Sequence, residues 1–226
     1  MKRGILLIHG LGGTPYEMEP IGTLAIRLGI QPFYAKLPGH GGDPFEMEGV
    51  SLDDWIEYLM RLYSRIEHGY SSITVCGLSL GALLAGILAR KRNPERLILL
   101  APSVYPKRSA FFLAPFAGFI RGKLVRIADK SLNPESNIFI PMVAIKELWR
   151  AIRLFVSSLE DMEIPTLVLQ GLSDEMVRIE SAYLVKKRLG RKARLVLIPE
   201  LSHVIPLDRY NKSALDEIRE FLSWHR

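Results

Sequence analysis

The chain has 226 residues, 48% hydrophobic and 24% charged, enough to bury a substantial core as one domain, and its single cysteine excludes an internal disulfide. The formal net charge is +6 and it is local: Lys107, Arg108, Arg121, Lys123, Arg126 and Lys130 stand against Asp129 alone, +5 between 103 and 130. No nucleic-acid motif accompanies that charge, so nucleic acid is not expected as a partner.

In chain order, the alternation predicts strands near 4–8, 31–35, 72–76, 96–100, 166–170 and 194–198. Between them, helical spacing predicts helices near 15–28, 51–66, 80–91, 179–189 and 210–224. This alternation points to an α/β fold, an open parallel sheet with helices on both faces. Met1-Lys2-Arg3 precedes only a short apolar run ending at His9-Gly10, which does not read as a signal peptide. The rhythm breaks between 103 and 163, where some sixty residues carry no clear strand of their own, too many for a structureless loop. The expected organisation is therefore a core of 1–102 and 164–226 interrupted by an insertion at 103–163, with a helix over 142–159 carrying Ile145, Leu148, Trp149, Ile152, Phe155 and Val156.

The chemistry begins at Gly77-Leu78-Ser79-Leu80-Gly81, between a strand and a run of small and aliphatic residues. Glycines two before and two after the serine allow a turn tight enough to hold its side chain out above the sheet. A serine hydroxyl needs a base and an orienting acid to become a nucleophile. Asp174 lies on the loop just past the strand at 166–170, and His203 on the loop after the strand at 194–198. The order Ser79, Asp174, His203 is that of the α/β-hydrolases. The first strand ends in His9-Gly10-Leu11-Gly12-Gly13, and the backbone amides of Leu11 and Leu80 are the expected oxyanion donors.

These landmarks, with Pro38-Gly39-His40-Gly41, residues 170–177 (QGLSDEMV) and residues 202–208 (SHVIPLD), resemble the small bacterial and archaeal carboxylesterase and monoacylglycerol lipase group of α/β-hydrolases over nearly the whole chain. The resemblance implies Ser79, Asp174 and His203 as triad and Leu11 and Leu80 as oxyanion hole. It also implies that the insertion caps the serine. One departure is that the strand ending in His-Gly starts at about Gly4, without the family's usual preceding hairpin, which implies a sheet trimmed at one edge.

Other residues carry two readings. Phe111, Phe112, Leu113, Phe116, Phe119 and Ile120 suit an acyl chain, or equally packing of the cap on the core. The basic segment suits weak contact with an anionic lipid surface, attraction of acidic substrates, or a solvated cationic face. Glu175 is the substitute acid if Asp174 points away. His9 and His40 read as structural, His68 and His225 as surface residues, Cys76 as buried and inert, and Asp208 as a cap or turn residue. No spaced metal-ligand cluster, G-x-G-x-x-G or P-loop is present, so neither metal nor cofactor is expected.

The sequence thus predicts a serine carboxylic-ester hydrolase acting on short- to medium-chain acyl esters through an acyl-enzyme. The alternatives are a monoacylglycerol lipase, with Glu135, Ser136 and Asn137 as suppliers of glycerol contacts, a cofactor-free perhydrolase, or a non-catalytic binding protein on the same scaffold. A dehalogenase is disfavoured because the elbow carries Ser rather than Asp. The expected location is the cytoplasm, since the lone cysteine fits a reducing compartment and the apolar stretch 109–120 is too short to span a bilayer.

Overall fold

The computed structural model describes residues 2–107, 122–126 and 139–223. Its strands are β1 (Arg3–Ile8), β2 (Ile30–Ala35), β3 (Ser72–Leu78), β4 (Arg96–Leu100), β5 (Leu124–Arg126), β6 (Phe139–Pro141), β7 (Thr166–Gly171) and β8 (Ala193–Ile198). The helices are α1 (Glu19–Arg27), α2 (Leu52–Glu67), α3 (Leu80–Arg92), α4 (Met142–Ser158), α5 (Glu180–Leu189) and α6 (Lys212–Ser223). Six strands form one sheet in the order β2-β1-β3-β4-β7-β8. Every pairing within it is parallel. The strand order reverses between β1 and β3, and in open α/β sheets such a reversal opens a crevice at the carboxyl ends of the strands.

Side chains alternate across each strand, so the sheet feeds two apolar layers. Leu6, Ile8, Val75, Leu97, Leu99 and Val168 pack beneath α2, α3, α4 and α5. Ile5, Leu7, Cys76, Leu78, Ile98 and Leu169 face α1 and α6 on the other side. Each such aliphatic side chain contributes about 1.5–3 kcal/mol by leaving water. Helix α3 is buried from Leu80 through Ala89, which accounts for its lack of a polar face. It meets α4 at Gly86, where a Cβ would stand 2.3 Å from the Phe155 ring.

The sequence expected one helix over 15–28. A 3-10 turn at Pro15–Met18 and then α1 take its place, because Pro20 in the first turn of α1 cannot donate a backbone hydrogen bond to an unbroken helix. Between β4 and β7 the expected helix is α4, but the expectation of no strands there is corrected: β5 and β6 form a small antiparallel pair. Three residues each are too few to show an alternation. Glu48 accepts the Gly122 N–H at 2.7 Å beside this pair. Buried Glu147 of α4 accepts the Leu52 N–H at the start of α2 at 2.9 Å, and Arg150 bridges Glu147 and Asp53. A carboxylate at a helix N-terminus satisfies an orphan amide and complements the dipole, so this contact ties the inserted helix to the core. No helix among the described residues is long and apolar enough to cross a membrane.

Candidate active site

The site assembles at the carboxyl edge of the sheet, beginning with the turn between β3 and α3. Ser79 adopts φ 55°, ψ −113°, a conformation that costs a non-glycine residue about 1–3 kcal/mol and persists only where its surroundings hold it. Those surroundings are the two glycines of the pentapeptide. A Cβ on Gly77 would sit 2.1 Å from the Gly81 carbonyl oxygen, and one on Gly81 would sit 2.3 Å from the Ile8 carbonyl oxygen. Both contacts are with backbone, so neither position has room for a side chain. The Ser79 N–H donates to the Leu100 carbonyl at 2.9 Å, anchoring the turn to β4. Leu80 opens α3, and its N–H belongs to the first turn, whose amides have no carbonyl beneath them inside the helix.

The end of β1 supplies the facing loop. The Gly13 N–H donates to the Gly10 carbonyl at 3.1 Å, closing a tight turn that puts Gly12 at φ 74°, the left-handed region that glycine favours. Leu11 lies within this turn, next to Gly10, where a Cβ would be 3.5 Å from Ser79 Cβ. The two expected oxyanion residues thus lie on adjacent loops that meet at Gly10 and Ser79.

Asp174 and His203 are brought together. His203 Nδ1 lies 2.9 Å from Asp174 Oδ2, both residues being buried. Asp174 Oδ1 accepts the N–H groups of Met176 and Val177, each at 2.8 Å, and Oδ2 also accepts from Gln170 Nε2 at 2.7 Å. The ionised carboxylate accepts these bonds, so Nδ1 of His203 carries a proton and the neutral ring presents a lone pair at Nε2. Burial alone would raise the Asp174 carboxyl, but the His203 charge and hydrogen bond, with the Val177 and Met176 amides, hold it below the ordinary value. Burial likewise opposes charge on His203, yet the Asp174 charge and hydrogen bond, joined by Glu175 and Glu17, hold its pKa above the usual histidine range. Glu175, the substitute acid, is exposed.

The acid loop is also strapped from outside. The Lys107 N–H donates to the Met176 carbonyl at 2.8 Å, the Arg178 N–H donates to the Tyr105 carbonyl at 2.9 Å, and Lys107 Nζ donates to the Asp174 carbonyl. The chain leaving β4 thereby holds the loop that bears Asp174. In the histidine loop, Asp208 accepts from the Ser202 N–H and the Tyr210 N–H, each at 2.8 Å, the turn role its sequence context suggested.

The remaining histidines divide as expected where they are described. His9 Nε2 accepts the Leu37 N–H at 3.1 Å, so its proton is on Nδ1 and bonds the Gly10 carbonyl at 2.8 Å. His40 lies between His9 and Trp55 in tilted and edge-on ring contacts, with centroids at 5.1 and 5.7 Å. His68 is exposed. Cys76 is buried, and burial pushes its thiol far above the range in which a thiolate forms. His225, the acyl-chain candidates between 111 and 120 and the glycerol-contact candidates Glu135, Ser136 and Asn137 lie outside the described residues.

Two contacts had no signal in the sequence: Glu17 meets the Gly10 amide only once the loop after β1 has turned back onto it, and Glu147, which ties α4 to α2, resembled any polar residue of an amphipathic helix.

The alpha/beta hydrolase family model matches residues 5–214. A carboxylesterase of Bacillus subtilis (strain 168) is 25% identical over 97% of this chain and 92% of its own length. A thermostable monoacylglycerol lipase of Bacillus sp. (strain H-257) is 24% identical over 98% of this chain and 91% of its own. A solved structure of the metagenome-derived lipolytic enzymes LipS and LipT superposes with a TM-score of 0.88 at 21% identity, covering 99% of this chain and 94% of that one. That last likeness is one of fold.

Proposed function

Because the chain belongs to the alpha/beta hydrolase family, we propose that it is a serine carboxylic-ester hydrolase with Ser79 as nucleophile, His203 as base and Asp174 as the acid that orients it. The observation that carries this reading is the buried 2.9 Å contact of His203 Nδ1 with Asp174 Oδ2 at the same sheet edge as the Ser79 turn. Ser79 Oγ attacks the ester carbonyl carbon while His203 Nε2 takes its proton. The carbonyl oxygen becomes an oxyanion held by the Leu11 and Leu80 N–H groups. As the tetrahedral intermediate collapses, the imidazolium protonates the departing alkoxide and an acyl-Ser79 ester remains. Water then attacks that ester with His203 again as base, Ser79 recovers its proton, and the carboxylic acid leaves.

The segment 103–163 is read as a cap, supported by its position between β4 and β7 and by the ties of α4 to α2. Small-molecule esters of short to medium acyl length are the substrates this reading favours. A second reading, hydrolysis of monoacylglycerols, is favoured by the relative of that name. Contact of the basic segment with an anionic lipid surface remains part of the proposal, as does a cytoplasmic location, which the buried lone cysteine supports.

A fluorophosphonate probe tests the nucleophile: one adduct at Ser79 is expected, lost in Ser79→Ala, and labelling of a different serine overturns the assignment. Substrate class is tested with p-nitrophenyl esters from acetate to palmitate beside monoacylglycerols. If the cap encloses acyl chain, kcat/KM rises roughly three- to fourfold per methylene until the pocket is full, from about 0.8 kcal/mol per buried methylene. A flat profile removes the acyl-pocket reading.

A further inference from the structure

Glu17 is a buried carboxylate to which the catalytic sequence gives no role, and it lies against the loop that carries Leu11. Its Oε2 accepts the Gly10 N–H at 3.0 Å, and its two carboxylate oxygens lie 2.3 Å from where a Cβ on Gly13 would stand. A Cβ on Gly10 would be 3.5 Å from Glu17 Oε2 and 3.5 Å from Ser79 Cβ, so one glycine is flanked by the carboxylate and by Ser79. Glu17 belongs to the short 3-10 turn that packs against the Ile205–Leu207 turn following His203. Burying an ionised carboxylate is unfavourable unless its charge is matched to neighbouring groups.

We propose that Glu17 is a positioning residue of the hydrolytic site, holding the oxyanion loop through Gly10 and presenting a second buried carboxylate toward His203. The inference rests on the triad reading. By pinning the Gly10 amide, Glu17 fixes the aim of the Leu11 N–H one residue on. Its charge also favours the imidazolium that forms as Ser79 loses its proton. The charges that act on His203 come from Asp174 and Glu175 on the loop after β7 and from Glu17 on the loop after β1. Asp208, in the histidine's own loop, is engaged by Ser202 and Tyr210. His9 is held neutral between the Leu37 amide and the Gly10 carbonyl, with Lys36 among the charges acting on it. The sign follows: removing the Glu17 charge lowers the His203 pKa.

The test is Glu17→Gln, which keeps the shape and an acceptor for the Gly10 N–H but removes the charge. Two readouts are taken: the pH profile of kcat/KM on p-nitrophenyl butyrate, and the His203 imidazole titrated by NMR in the Ser79→Ala background. Both should place the His203 pKa lower than in the parent, with a lower plateau in kcat. Glu17→Asp, which keeps the charge one methylene back, should recover part of each change. An unmoved pKa in folded Glu17→Gln overturns the proposal, because a merely structural carboxylate would alter melting and leave the titration alone. If Glu17→Gln does not fold, Glu17→Ala decides, since it also removes the charge, and a His203 pKa equal to the parent's in that variant overturns it. Phosphonate labelling of the parent at a serine other than Ser79 would instead sink the triad reading, a failure separate from this one.

Discussion

Gln170 Nε2 and His203 Nδ1 approach the same oxygen of Asp174, Oδ2, at 2.7 and 2.9 Å. Gln170 is the penultimate residue of β7 and cannot move without disturbing the sheet, so its amide fixes where the carboxylate can point. The other end of that amide, Oε1, is buried with no hydrogen-bond partner among the described residues. Replacing Gln170 with Met therefore removes the charge-assisted bond to Asp174, a 3.3 Å bond to the Gly171 carbonyl and one unsatisfied acceptor together. The lost bonds and the relieved acceptor are each worth about 1–3 kcal/mol and oppose one another in stability. The expected outcome is a melting temperature close to the parent's with kcat down roughly tenfold and KM unchanged. A large loss of stability with normal kcat would show that Gln170 serves the fold and not the orientation of Asp174.

Replacing His203 with Ala should lower kcat by on the order of 10⁴-fold or more, and Asp174→Asn should act through the wrong imidazole tautomer while the protein stays folded. Glu175→Gln should keep kcat close to the parent's, since Glu175 is exposed and Asp174 makes the contact, while loss of its charge lowers the His203 pKa. The pH dependence follows from the raised His203 pKa. The base is active only when neutral, so kcat/KM should fall as pH drops through a value above the ordinary 6.5. If Asp174→Asn kept its rate and Glu175→Gln lost it, the acid would be reassigned.

The main sheet was legible because its central strands are short aliphatic runs bounded by turn residues, the signature of a parallel strand buried on both faces. Ser79, Asp174 and His203 were legible because each follows such a run at its carboxyl end. The paired β5 and β6 were not, since three residues make no pattern and their pairing joins segments apart in sequence that only folding brings together. Glu17 was hidden for another reason: an acidic residue just before a helix reads as a favourable charge at a helix start, and only the return of the Gly10 amide onto it reveals a different partner.

Stability should fall in mild acid because of the buried histidines His9 and His40. Burial, then the neighbouring His40 charge, lowers His9 from 6.5 to about 3, and burial lowers His40 to about 4. Between those values and 6.5 the unfolded chain binds protons that the native state refuses, so stability is fully present above pH 6.5 and is lost as pH falls. His203 has the opposite sign: its contribution is present below 6.5 and is lost as pH rises through its raised value. Urea unfolding at pH 7.5 and pH 5.0 should differ by roughly 2–4 kcal/mol in favour of the higher pH, at about 1.4 kcal/mol per unit and group. His40→Phe should reduce that difference by about half. It keeps a ring against Trp55, and Trp55 Nε1 still donates to the Pro38 carbonyl at 3.0 Å, so little else is left unsatisfied. An unchanged pH slope in His40→Phe would remove His40 from the account.

Two glycines of α3 give opposite expectations, and the contrast separates packing from catalysis. A Cβ on Gly86 meets the Phe155 ring at 2.3 Å, so Gly86→Ala pushes a side chain of α4 and leaves the carboxyl edge of the sheet alone. Overpacking of that kind costs about 1–3 kcal/mol, and the folded fraction should turn over ester at the parent's rate. A Cβ on Gly81 meets the Ile8 and His9 carbonyl oxygens at 2.3 and 2.4 Å, backbone that leads directly into the loop carrying Leu11. The Gly81→Ala chain must move either the Ser79 turn or that loop, and both bear on the distance between the nucleophile and the oxyanion amides. A displacement of about 1 Å can lower a rate on the order of 100-fold, so kcat should fall far more than in Gly86→Ala at matched loss of melting temperature. Equal kcat in the folded fractions of the two variants would mean that the approach of β1 to the start of α3 has no bearing on the chemistry, and the assignment of the Leu11 and Leu80 amides would fall with it.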